Sequence, residues 1–270
     1  REEFRKRYDA TSERENMSDG AADTHIPELN QRLRQLKDAL FRADKVALRN
    51  DGEVPAKDLA DLKTGFHGFC SFINDLLGDD SRLENSVKQD VGVALQHELL
   101  PYLSLTGTAD RFYAKPRGYA GDYLTIAKIY DNVPTGTGRI GPLLDACFLA
   151  EPAAAAVRNR RHLLRNVIDR IMTEHPEQTI RVTSLACGPA QELFDVYENL
   201  DDGTRLKANC VDIDMQALAF VAERRDRMKL SKQIQLHNGN LIHLATGRQE
   251  LPIPPQHLIY SIGLIDYFGD

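Results

Sequence analysis

The hydrophobic period of this chain changes once, at His175-Pro176, and that change limits what it can fold into. Before it, apolar residues recur at helical spacing; after it, short β-rich runs alternate with helical ones. Leu29, Leu33, Leu36, Leu40, Ala43 and Ala47 form one stripe, which Asn50-Asp51-Gly52 ends. A second helical run covers residues 55–77. Ser81 followed by Glu84 is a capping-box signature, from which Val87, Val91, Ala94, Leu95 and Leu99 carry a third helix to Pro101. Residues 106–142 hold six glycines and are expected to form a structured loop, with a short helix from Tyr123 to Tyr130. A helix follows Pro152, with Val157, Leu164, Val167, Ile168 and Ile171 on one face and Arg158, Arg160, Arg161, Arg165 and Arg170 on an expected solvated face. Beyond residue 176 the order is strand Ile180–Ala186, helix 191–200, strand Leu206–Val211, helix 215–230, strand Ile234–His237 and strand Leu258–Ile262. That alternation predicts an α/β unit with a parallel sheet covered on both faces.

The sequence therefore divides into a polar, disordered segment 1–24, a helical region 25–150 and an α/β region 151–270. The first segment carries twelve charged side chains and no apolar run, so it is not a secretory signal. Net charge is −6, which weighs against general nucleic-acid binding and against an anionic membrane surface. No apolar run approaches the roughly 18 residues of a membrane span. The four cysteines, at 70, 147, 187 and 210, are far apart, which points to a reduced, cytoplasmic protein. The eight histidines show no ligand spacing, so no metal is expected. The N-terminal leucine stripe is core or a surface for self-association.

Four segments fall at the carboxyl ends of the expected strands, where ligands of open parallel sheets bind. The first is Leu185-Ala-Cys-Gly-Pro-Ala-Gln-Glu192, where a glycine lets backbone approach a ligand closely. It is neither a G-x-G-x-x-G fingerprint nor a phosphate loop. The second is Val211-Asp-Ile-Asp214: Asp212 stands 24 residues after Gly188, close to where a ribose-binding acid sits. Asp214 is an N-cap for the next helix. The third is His237-Asn-Gly-Asn-Leu241, in which Asn240 either turns the chain or reads an adenine edge. The fourth is Tyr260-Ser-Ile-Gly-Leu-Ile-Asp-Tyr267.

Taken in order, these segments resemble the class I S-adenosylmethionine-dependent methyltransferases over residues 151–270. The resemblance implies a Rossmann-like sheet and a cofactor site formed by Ala186, Cys187, Gly188, Asp212, Ile213, Asn240, Leu241, Ser261 and Gly263. The chain departs from the pattern at Ala190, where a second glycine is common, at Asn240, where Asp is common, and at His257, which replaces the Asp that opens strand four. A class I sheet has seven strands, so this chain is expected to hold only the first four, with the rest truncated. The loop Lys115-Pro-Arg-Gly-Tyr-Ala-Gly-Asp-Tyr123 resembles that of the bacterial 3-hydroxypalmitic acid methyl ester synthases, which make a fatty-acid methyl ester quorum signal. It implies a small-molecule acceptor such as a fatty acid. Arg117, Tyr119, Asp122, Tyr123 and Tyr267 are the candidates for the reaction centre, the tyrosines as hydrogen-bond donors or as walls for an apolar tail.

A carboxylate acceptor is ionised at neutral pH and needs no general base. Arg117 is placed either to clamp it or to bind the cofactor's own carboxylate. A hydroxyl acceptor needs a base, for which Asp122, His237 and Asp266 are candidates; Asp122 has a second role open to it, as the cap of the helix that follows. Two other classes fit the same pocket: a nucleoside-sensing module without catalysis, and a nucleic-acid methyltransferase steered by the arginine helix. The acidic balance and the absence of an Asn/Asp-Pro-Pro-Tyr motif argue against the last.

Overall fold

A computed structural model of the chain describes residues 22–264. The polar segment expected at 1–24 lies almost wholly outside these residues, as do Asp266 and Tyr267. Contacts divide the chain into two compact units: one reaches to Gly107 and includes Thr135–Cys147, and the other holds Thr108–Pro134 with the residues from Phe148 onward. The sequence boundary near residue 150 and this division differ. The loop that bears Lys115–Tyr123 groups with the sheet, because Tyr123 packs its ring on Phe220 at 5.4 Å and Ile129 packs with Leu149 and Ala154.

The first unit is helical. Helices α1 (Ala22–Arg49), α2 (Ala56–Leu77) and α3 (Asn85–Leu103) bury one apolar stripe each. All six stripe residues of α1 are buried, together with Leu62, Phe66, Phe69 and Leu76 of α2 and Val91 and Leu95 of α3. The capping box does not form. Helix α3 starts one residue after Glu84, without a side-chain cap. The Ser81 hydroxyl instead donates to Leu76 O at 2.7 Å and accepts from Leu83 N at 3.2 Å, closing the turn after α2.

The stretch expected as loop, 106–142, contains one further helix, α4 (Ala109–Ala114), and the start of another, α6 (Ile140–Ala150); α5 (Tyr123–Asp131) matches the short helix read from the sequence. The second unit continues with α7 (Pro152–Glu174), β1 (Ile180–Leu185), α8 (Gln191–Tyr197), β2 (Leu206–Asp212), α9 (Met215–Arg227), β3 (Ile234–Asn238), α10 (Leu241–Ala245) and β4 (Leu258–Ser261). The four strands form one parallel sheet in the order β3-β2-β1-β4. The fold is thus α/β, with a helical N-terminal region. Strands β1 and β2 are buried almost continuously, as strands covered on both faces are. Ile180, Val182, Leu193, Phe194, Leu206 and Val221 pack at 0% exposure around them. Among the described residues no single helix is long and apolar enough to cross a membrane.

Candidate functional site

Strand order fixes where a ligand can sit. From β1 the chain runs outward through β2 and β3, then returns to place β4 on the other side of β1. The chain thus leaves β1 towards β2 while β4 flanks β1 on the other side, and the carboxyl ends of strands at such a reversal are where open parallel sheets bind ligands. The turn after β1 shapes the floor of such a site. Ala186, Gly188 and Ala190 all adopt left-handed backbone, with φ of 51°, 52° and 48°. A Cβ on Gly188 would meet nothing within 4 Å, so the turn faces open space there. For the two alanines this backbone is strained by about 1 kcal/mol each. Ala190 buries its methyl completely, which offsets some of that cost; Ala186 is only half-buried. Ala186→Gly is therefore expected to raise stability by less than about 1 kcal/mol after the entropy cost of glycine, and the thermal midpoint with it. A lowered midpoint would contradict the strain argument.

Asp212 ends β2 beside this turn and is 7% exposed. One carboxylate oxygen accepts from Gly188 N at 2.9 Å, the other from Asp214 N at 2.8 Å. Burial raises its pKa, and these two N–H groups oppose the rise. Ile213 N is a third backbone donor to the carboxylate, which leaves it one acceptor position for a hydroxyl donor. Beside it, Ile213 and Met215 expose large apolar side chains, at 66% and 65%. An accepting acid flanked by exposed apolar surface suits a nucleoside, and the residues at this end of the sheet fit the adenosine part of S-adenosylmethionine.

Other expected contacts are placed differently. The Cys187 N–H donates to Val211 O at 3.1 Å, its carbonyl accepts from Ala190 N at 3.0 Å, and its side chain is buried in the core. The Asn240 carbonyl caps α10, accepting from Ile242 N at 2.9 Å and His243 N at 3.3 Å, and Leu241 is half-buried in that helix. Of the two roles read for Asn240, the turn is the one this geometry displays. Ser261 ends β4 with a buried hydroxyl that has no hydrogen-bond partner, and Gly263 follows at φ 72°.

The loop before α5 lies over the end of β2. Arg117 grips Asp214 with Nε at 2.6 Å and Nη2 at 2.5 Å, and also donates to Gln216. The guanidinium sits over the Tyr123 ring at 5.5 Å. Its fork is filled by the α9 cap, so it is not presented to a substrate carboxylate, because the aspartate satisfies the donors an acceptor would use. Tyr119 is half-buried; burial, then the negative charge of Asp212 and Asp214, raises its pKa. Asp122 is fully buried, caps α5 through Leu124 N and Thr125 N, and accepts from Arg111 Nη2 at 2.9 and 3.0 Å. Of the two roles read for it, the cap is the one occupied; with donors on both oxygens, it is not available as a base. His237 turns its ring to Asn209 Oδ1 at 3.0 Å, and burial lowers its pKa.

The arginine face of α7 is solvated only in part: Arg170 is 68% exposed, as expected, while others turn to partners. Arg158 donates to Leu149 O, and Arg161 grips Asp195 with Nε at 2.5 Å and Nη2 at 2.7 Å. Burial pushes Asp195 up, but its bonds to Arg161 and Gln191 hold it below the ordinary carboxylate range. Arg160 reaches the exit of β4 and lies within hydrogen-bonding reach of the Tyr130 hydroxyl. The signal was legible: Arg160, Leu164 and Ile168 stand four residues apart, on one row of the helix. Sequence reasoning also missed Glu192, in the first turn of α8. It is buried and accepts from the Tyr260 hydroxyl at 2.8 Å. Burial raises its pKa.

A raised carboxylate pKa means the native state holds the proton more tightly than the unfolded chain. The resulting stability is fully present below the ordinary glutamate pKa and is lost as pH rises through the folded one. Glu192→Gln, which keeps the Tyr260 bond, should remove this dependence. The wild type is expected to gain stability relative to the variant between about pH 7 and about pH 5. Thermal midpoints at both values check this; a constant difference would contradict it.

Among the described residues, no group of three or more His, Cys, Asp or Glu is arranged to hold a metal. The profile of a protein family described as "Putative methyltransferase" matches residues 118–268. No curated protein matches the chain. A solved structure, a possible exported protein from Bordetella parapertussis, is similar at 20% identity and a TM-score of 0.35 over 83% of this chain. The chain spans 57% of that protein's length.

Proposed function

This chain belongs to that methyltransferase family, and from that premise we propose that it transfers the methyl group of S-adenosylmethionine to the carboxylate of a small apolar acid, of the 3-hydroxy fatty acid type, giving a methyl ester. The observation that carries the cofactor is Asp212, buried at the β2 exit with acceptor capacity left beyond its backbone donors and exposed Ile213 beside it. The resemblance of the Lys115–Tyr123 loop supports the acceptor class. S-adenosylmethionine, when bound, supplies an electrophilic methyl group: the acceptor oxygen forms the new O–C bond as the C–S bond breaks and its electron pair stays on sulfur.

The acids around the site support an acceptor that arrives ionised. Asp122, Asp195 and Asp214 are each held by an arginine, and Glu192 by Tyr260. His237 faces Asn209. A carboxylate asks none of them to take a proton; the site's tasks are to strip its water and align it.

The test is to incubate the protein with S-adenosylmethionine and 3-hydroxy fatty acids of several lengths and to quantify methyl ester and S-adenosylhomocysteine by mass spectrometry. Equal yields of both are expected, with a rate that is flat around neutral pH. A rate that rises with a single ionisation near neutrality would instead indicate a base and a hydroxyl acceptor. Cofactor binding without turnover on any acid would favour a sensor. No binding at millimolar cofactor would sink the enzyme reading.

A further inference from the structure

The guanidinium of Arg160 is unlike the other inward arginines of α7. Arg161 is closed on Asp195 by two hydrogen bonds, and Arg158 is tied to a helix carbonyl. Arg160 has no carboxylate partner among the described residues: its side-chain hydrogen bond goes to the Tyr130 hydroxyl, and its buried Nε, like that of Arg165, has no hydrogen-bond partner. The Arg160 Nη1 stands so close to Gly263 that a methyl group built there would lie 2.7 Å away. Gly263 follows β4, and Glu192, whose field the arginine feels, opens α8 after the β1 turn. The side chain therefore stands at the carboxyl end of β4, on the side of the helix that follows β1, next to the switch point of the sheet. A guanidinium held there with donor capacity to spare is a receptor for a planar anion.

Resting on the cofactor reading above, the geometry points to Arg160 as the residue that binds the methionine carboxylate of S-adenosylmethionine. With the ribose held at the end of β2, the amino-acid arm extends across β1 towards β4, two strand spacings or about 10 Å away. That is the direction in which Arg160 waits, whereas Arg117, the other arginine considered for this role, is closed on Asp214 beside the ribose position. Gly263 is then required for its lack of a side chain: any Cβ would push the guanidinium off its place.

The assignment is tested by calorimetric binding of two ligands that differ in this arm. S-adenosylhomocysteine carries the carboxylate; 5′-methylthioadenosine lacks the whole amino-acid end. In Arg160→Gln, affinity for S-adenosylhomocysteine should fall about ten- to a hundredfold, the effect of one lost charge-assisted contact, while methylthioadenosine affinity stays unchanged. Gly263→Ala should shift the ratio the same way, and it decides the matter if Arg160→Gln fails to fold. Unchanged S-adenosylhomocysteine binding overturns the assignment, as does a parallel loss of both ligands, which a purely structural role would produce. A raised KM for the acceptor with cofactor affinity intact would give Arg160 to the acceptor instead and also overturn it. A wild type that binds neither ligand overturns the cofactor reading, and the assignment falls with it.

Discussion

Asp212→Ala is expected to weaken S-adenosylhomocysteine binding by about 1.5–3 kcal/mol, roughly ten- to a hundredfold, through the loss of a charge-assisted contact. The same change orphans Gly188 N and Asp214 N, which now donate to the two carboxylate oxygens. Buried donors without partners cost about 1–3 kcal/mol, so the thermal midpoint should fall as well. The two effects are separable. Asp212→Asn keeps a side chain of the same size with one oxygen to accept from the turn, but it lacks the charge and offers a competing donor. It should retain more of the stability than alanine does while losing comparable affinity. Calorimetry and thermal melts on both variants check this. Unchanged affinity in a folded alanine variant would show that the ribose is held elsewhere, and the cofactor reading would lose its main support.

The second large effect is on stability and concerns Asp122. Its carboxylate is at 0% exposure, caps α5 and pairs with Arg111, whose side chain is 23% exposed. Asp122→Ala removes a cap worth about 1 kcal/mol and leaves Arg111 without its partner. Breaking a buried pair typically costs about 3–5 kcal/mol; with the arginine partly solvated, a total of about 2–4 kcal/mol is expected. Turnover per folded molecule should persist. Arg111→Met should cost a similar amount by leaving a buried carboxylate unpaired, and the double variant Asp122→Asn with Arg111→Met should recover part of the loss. That non-additivity is the signature of a coupled pair. A catalytic base would behave in the opposite way: Asp122→Asn would abolish turnover and leave the melting curve in place.

The α1 stripe and the strand runs were legible because local periodicity follows directly from which face a residue must bury. All six stripe residues of α1 are buried, and β1 to β4 appear in their expected order. The helices α4 and α10 were not legible because each is short, and α6 because Gly141 and Pro142 fall in its first turn and nearly all of its other residues are apolar, so no stripe stands out. Ser81 and Glu84 carried a local signature that lost to the packing of the α2–α3 turn. At the site, Asp212 could be found from its distance to Gly188. The engagement of Arg117 could not, because its partner Asp214 is 97 residues away in sequence.

By itself, the sequence determined the fold class, the position of the β1 turn and the acid that faces it, because each depends on period and on spacing within a few tens of residues. Only the tertiary structure decided which charged groups are free. Arg117, Asp122, Arg160 and Arg161 look alike in sequence as exposed, chemistry-bearing residues. Folding ties three of them to charged partners and leaves Arg160, whose side-chain hydrogen bond goes to the neutral Tyr130 hydroxyl, at the exit of β4 with its Nε unpaired. The physical reason is that charge pairing is a short-range matter of a few ångströms in space, and sequence separation says nothing about that distance until the sheet has brought its ends together.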